Sequence, residues 1–152
     1  MQPLSVAQLI PVLQTAIGPT ILISGVGLLL LTMTNRLART IDRTRTTARE
    51  LADAGEEHRS KGREELRVLW RRARLIRLSI ALASTSALFA AILIIALFLT
   101  ALLHFESAEL IAALFIICLA NLIGSLAVFI HDINLALHAL KLELTAEDLE
   151  RP

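Results

Sequence analysis

RRARLIRLSIALASTSALFAAILIIALFLTALL, residues 71–103, sets four arginines directly against 26 residues without a charged side chain. Crossing a hydrocarbon core about 30 Å thick takes about 20 helical residues, so residues 78–103 are long enough to span it. The arginines stop where the apolar run starts, as they must if guanidinium groups stay in water or among headgroups. Downstream, residues 110–130 are equally free of charge, and the link between the two runs is only residues 104–109. A link that short is a tight turn, and it contains no Lys or Arg. Upstream, residues 1–35 carry no charged side chain at all.

The chain has 152 residues, 55% of them apolar, with a mean hydropathy of +0.67. Soluble domains of this size are about half apolar or less, so this composition belongs in lipid. Cys118 is the single cysteine and lies inside an apolar run, which excludes an intrachain disulfide and a thiol metal cluster. Buried cysteines behave as small apolar residues, and Cys118 is expected to be one. A cleaved signal peptide needs a basic segment before its apolar core, which residues 1–35 do not supply, so the N-terminus is expected to be retained.

The net charge of +1 conceals segregation: residues 36–77 hold thirteen of the fifteen Lys and Arg residues. Short loops rich in Lys and Arg remain on the cytoplasmic side, which orients the chain. The expectation is an all-α integral membrane protein of the bacterial inner membrane with three transmembrane helices. Its N-terminus is outside, its C-terminus is cytoplasmic, and an antiparallel helical hairpin extends spans one and two into the cytoplasm.

The boundaries follow from the same pattern. Pro11 and Pro19 interrupt the first apolar run, and each removes a backbone donor and disfavours helix in the residue before it. Span one is therefore placed at residues 15–34, kinked or started near Pro19. Residues 1–14 become an interfacial or re-entrant segment, with a longer tilted span as the alternative. Residues 35–77 form the basic hairpin, 78–103 span two, 104–109 the external turn and 110–130 span three. Leu37, Ile41, Ala48 and Leu51, then Leu66, Leu69, Ala73, Ile76 and Ile80, recur at 3 and 4 spacing, which predicts two apolar stripes able to zip together. Residues 54–62, bracketed by Gly55 and Gly62, are the expected tip. Residues 131–152 continue as an amphipathic helix and acidic tail, where Thr145 and Asp148 resemble a capping box.

The arginines are the principal candidate site. Arg36, Arg39 and Arg43 share one stripe, Arg67, Arg71 and Arg74 another, with Arg72 and Arg77 beside the second. Such collars set topology, attract an anionic leaflet by about 1 kcal/mol per charge, and offer guanidinium forks to phosphate or carboxylate. Nucleic acid is not an expected partner, because Trp70 is the sole aromatic residue between Leu37 and Leu88. Polar residues in spans seek other helices, which applies to Thr32, Thr34, the cluster Ser84, Thr85 and Ser86, and to Asn121 and Ser125. Close backbone approach is expected at Gly25 with Gly27, at Ala83 with Ala87 and Ala91, and at Ala120 with Gly124. Asp132, at the end of span three, calls for a counter-charge such as Arg36 or Arg77. Asn121, Ser125, His131 and Asp132, with external Glu106 and Glu109, are candidates for a polar path, and His131, Asp132 and His138 for a relay. No catalytic constellation, cofactor motif or metal-ligand spacing is present, so an enzyme is not expected.

Several stretches carry a resemblance: Ala16 and Ile17, then Ser24-Gly25-Val26-Gly27-Leu28-Leu29-Leu30-Leu31, then Thr34-Asn35-Arg36-Leu37-Ala38-Arg39 with Asp42-Arg43, and later Arg71-Arg72-Ala73-Arg74-Leu75-Ile76-Arg77. Over residues 6–144 the chain is similar to the bacterial domain-of-unknown-function family numbered 2721. The resemblance implies a small multi-pass membrane protein and carries no catalytic residues with it. The functional expectation is a non-enzymatic, homo-oligomeric scaffold or accessory subunit whose hairpin contacts anionic lipid headgroups or an acidic partner such as another membrane protein. The alternative is an oligomeric ion channel or small transporter.

Overall fold

The computed structural model describes three helices, α1 (Val6–Asp53), α2 (Glu56–Leu103) and α3 (Ala108–Leu149), and no strand occurs among the described residues. Their side chains are described for residues 9–52, 62, 66–103 and 108–137. Helices α1 and α2 are each 48 residues long, more than twice what a hydrocarbon core requires. Each contains a segment apolar enough to cross a membrane, as does α3. Only 22, 17 and 11% of those apolar windows is buried within the protein. Apolar side chains such as Leu28, Ile95, Ile116 and Ile123 therefore cover the outside of the helices, an arrangement that water penalises and lipid does not.

Helix α1 begins at Val6 and is continuous through Pro11 and Pro19, so of the alternatives the sequence offers, a start near Pro19 is the one that does not hold. Hydroxyl groups around the prolines bond to nearby helix carbonyls: Thr15 Oγ1 donates to Pro11 O at 2.9 Å, and Thr20 Oγ1 to Ala16 O at 2.8 Å. The reversal between α1 and α2 also differs from expectation. Helix α2 already begins at Glu56, so Gly62 lies inside it rather than in a tip. Gly62 serves close approach: a Cβ there would run into Leu51 Cδ1 and come within 2.9 Å of Leu51 Cγ. Helix α3 continues through Thr145, so the Thr145 and Asp148 pair does not cap a helix start.

The chain divides into two compact units, one of Met1–Leu31 with Ala81–Gly124, the other of Thr32–Ile80 with Ser125–Pro152. In the first, Ala16 and Val26 of α1, Ala83, Ser86, Ala90 and Leu93 of α2, and Cys118 of α3 are buried. Small residues predominate, as they do where helices in lipid associate by backbone approach rather than by hydrophobic driving force. Ser86 Oγ donates to Cys118 O at 2.9 Å and Cys118 Sγ to Ser86 O at 3.2 Å, a reciprocal pair between α2 and α3. Gly25 and Gly27 have open space where a Cβ would be, and Ala120 is exposed, so the close approach expected there does not occur among the described residues. A Cβ on Gly124 would rest 3.6 Å from Leu82 Cδ1, an ordinary contact.

In the second unit, Met33, Thr40 and Thr47 of α1 are buried with Leu69, Ile76 and Ser79 of α2 and Ser125 and Asp132 of α3. Ser125 Oγ donates to Ser79 O at 2.8 Å, and Ser79 Oγ to Met33 Sδ at 3.2 Å, tying all three helices together. The α1 stripe predicted from Leu37, Ile41, Ala48 and Leu51 is not the buried one: Ile41 is 38% exposed. Thr40 and Thr47 are buried instead, and the Thr40 hydroxyl is satisfied by Arg36 O at 3.0 Å.

Candidate functional site

In the second unit the buried carboxylate of Asp132 on α3 meets one arginine from each other helix. Arg36 Nε of α1 lies 3.1 Å from Oδ2, and Arg72 Nε of α2 lies 3.6 Å from Oδ1. Asp132 has no exposed surface, whereas the Arg36 and Arg72 side chains retain 29 and 19%. A charge withdrawn from water in this way requires a counter-charge, and the anticipated pairing with Arg36 is present. The second partner is Arg72, not Arg77. Both carboxylate oxygens and Arg72 Nε lack a hydrogen-bond partner, so proximity of charge rather than aligned hydrogen bonding holds the cluster. The Arg36 guanidinium also lies 5.6 Å from the centre of the Phe129 ring, within cation–π range.

The arginines on the two predicted stripes regroup. Arg36, Arg39 and Arg43 of α1 and Arg72 of α2 line one cavity of about 570 Å³, together with Thr32, Asn35, Thr40 and Leu69. Arg74 and Arg77 line another of about 360 Å³ with Leu37, Ile41, Trp70 and Ala73. There the Arg74 guanidinium stacks 4.3 Å from the Trp70 ring centre. Arg67 and Arg71 are exposed. Three residues of the α1 stripe thus share a cavity with Arg72, which sequence spacing places with the other collar.

The residues considered for a polar path are not brought to one surface. Ser125 is fully buried against Ser79, whereas Asn121, partly exposed, donates from Nδ2 to Ile117 O of its own helix at 2.8 Å. His131 and Glu109 are exposed. Glu106 and the His138 side chain lie outside the described residues. Of Ser84, Thr85 and Ser86, only Ser86 is buried between helices; Ser84 is exposed and Thr85 bonds back to Ala81 O. No group of three metal-ligating side chains occurs among the described residues. Sequence reasoning missed Ser79, Met33 and the role of Arg72. The available signal was seven-residue spacing, in Arg72, Ser79 and Ser86 on α2 and in Cys118, Ser125 and Asp132 on α3.

Three helices able to cross a membrane, exposed apolar flanks and hydroxyl-bonded interiors define an all-α, multi-pass membrane protein. A family model described as "Protein of unknown function (DUF2721)" matches residues 16–142, and the chain belongs to that family. No curated protein and no solved structure matches it.

Proposed function

We propose that this chain is a non-enzymatic protein of the bacterial inner membrane, an oligomeric scaffold or accessory subunit whose arginine-rich unit contacts anionic lipid headgroups or an acidic partner. The observation carrying this reading is the concentration of arginines where α1 leaves, and α2 enters, the charge-free sequence, with Arg36, Arg39, Arg43 and Arg72 around a single cavity. Guanidinium groups at such a boundary are positioned for phosphate, and their planar forks suit bidentate contacts. Protein extracted in mild detergent should retain anionic lipid above its share of the parent membrane. Changing Arg67, Arg71, Arg74 and Arg77 together to Gln should lower that excess. Retention in bulk proportion, together with no crosslinked partner in membranes, removes the reading.

In this reading the N-terminus is outside and both the α1–α2 turn and the C-terminus are cytoplasmic, following the distribution of Lys and Arg. A Ser60→Cys variant should accept an impermeant maleimide only after cells are opened. Labelling on intact cells inverts the topology. A polar path through α3 is less favoured, because Ser125 is sealed against Ser79 and would have to be opened by another subunit.

A further inference from the structure

The geometry points to a discrete binding site, in the cavity between α1 and α2 of the second unit, for one phosphate monoester or diphosphate carrying two or more negative charges. The inference rests on the headgroup reading above and narrows it from a diffuse basic surface to one pocket. The cavity is lined by Arg36, Arg39, Arg43 and Arg72 and, among the described residues, by no carboxylate. Asp132 is not part of the lining. It meets Arg36 and Arg72 through their Nε atoms, 3.1 and 3.6 Å away, as a fully buried counter-charge shared by two residues of the wall. A guanidinium has five N–H donors, so one contact at Nε does not exhaust either fork. The carboxylate thereby orients two arginines without occupying the cavity they line.

Charge matching sets the ligand class. Leaving out Arg43, which has contacts of its own, Arg36, Arg39 and Arg72 against Asp132 still leave two positive charges without a counter-charge among the described residues. Carboxylates and phosphodiesters bring one negative charge each, whereas a phosphate monoester or diphosphate brings two or more. Asn35 adds an exposed amide to the rim. The phosphate can be the headgroup of a lipid or a free anion, since the same donors serve both.

The experiment is native mass spectrometry of the full-length protein in mild detergent. Phosphatidic acid serves as the lipid-borne probe and inorganic pyrophosphate as the free one. One saturable adduct per chain is expected with at least one probe, and whichever binds identifies the source. Arg39→Gln, at an exposed position of the cavity without a described ion pair, should weaken that adduct about tenfold or more, the scale of one lost charged hydrogen bond. Arg39→Lys should recover only part of it. Arg45→Gln, at an exposed position outside the cavity, should leave it unchanged, with all variants unfolding at the same temperature as the parent. Equal weakening by Arg39→Gln and Arg45→Gln, or adducts that grow without saturation, overturns the pocket while the diffuse headgroup reading stands. No adduct with either probe overturns the pocket, and lipid retained in bulk proportion would then remove the broader reading as well.

Discussion

Asp132→Ala should lower the unfolding free energy of the detergent-solubilised protein by about 3 kcal/mol, the low end for removing one partner of a buried ion pair. The low end applies because Arg36 and Arg72 keep 29 and 19% of their side-chain surface, so part of their charge can be rehydrated. The loss arises less from the missing carboxylate than from the two guanidinium groups it leaves facing a site without a counter-charge. Asp132→Asn separates charge from hydrogen bonding. Neither carboxylate oxygen has an aligned hydrogen-bond donor, so an amide of nearly the same shape should rescue little, and Asn should be almost as damaging as Ala. An Asn variant as stable as the parent, measured by heat or denaturant unfolding, would show that shape rather than charge holds the three helices here.

That cluster also marks how far the sequence could be read. The charge-free runs at 78–103 and 110–130 have one physical interpretation, because about 20 apolar helical residues match a hydrocarbon core and little else. Register between the helices was hidden. In a water-soluble bundle the apolar side of a helix is its buried side, and period alone identifies it. In lipid the apolar side can face outward, and in the charge-free runs it does: Leu28 is 70% and Ile123 67% exposed, while Ser79 and Ser125 are buried. In the basic segment Leu69 and Ile76 of the α2 stripe are buried as expected, but on α1 Thr40 and Thr47 take the buried positions instead of Ile41. Small and hydroxylated residues recurring every seven positions carried the correct information on α2 and α3. Choosing Arg72 over Arg77 as the second partner of Asp132 required that register, since both arginines lie on the same charged approach to the second apolar run. Pro11 and Pro19 each remove a backbone donor, which left a kinked span and a longer one equally open from sequence; α1 continues through both.

Ser125→Leu should destabilise the protein by about 1 to 3 kcal/mol, the usual range for forcing extra methylenes into a close-packed interior. Ser125→Ala should change stability by only about 0.6 kcal/mol, the mean for a hydrogen bond between membrane helices. Ser125 has no exposed surface, its hydroxyl donates to Ser79 O at 2.8 Å, and Ser79 in turn donates to Met33 Sδ. Three carbons in place of the one hydroxyl oxygen must separate α3 from α2 at this point, whereas loss of the hydroxyl leaves Ser79 O with its helical partner. The contrast between the two variants also decides between an interior seam and a polar path. A hydroxyl lining a water-filled route has room beside it, so Leu would be accommodated with little change in unfolding temperature while any ion flux in reconstituted vesicles would fall. A hydroxyl in a sealed seam gives the opposite pattern: strong destabilisation by Leu, near-neutrality of Ala, and no flux to lose. Because α3 contributes Cys118, Ser125 and Asp132 to buried positions at seven-residue spacing, the sealed pattern is the one expected. It makes the interior of α3 a packing surface and leaves the arginine-lined cavity as the place to test for the proposed ligand.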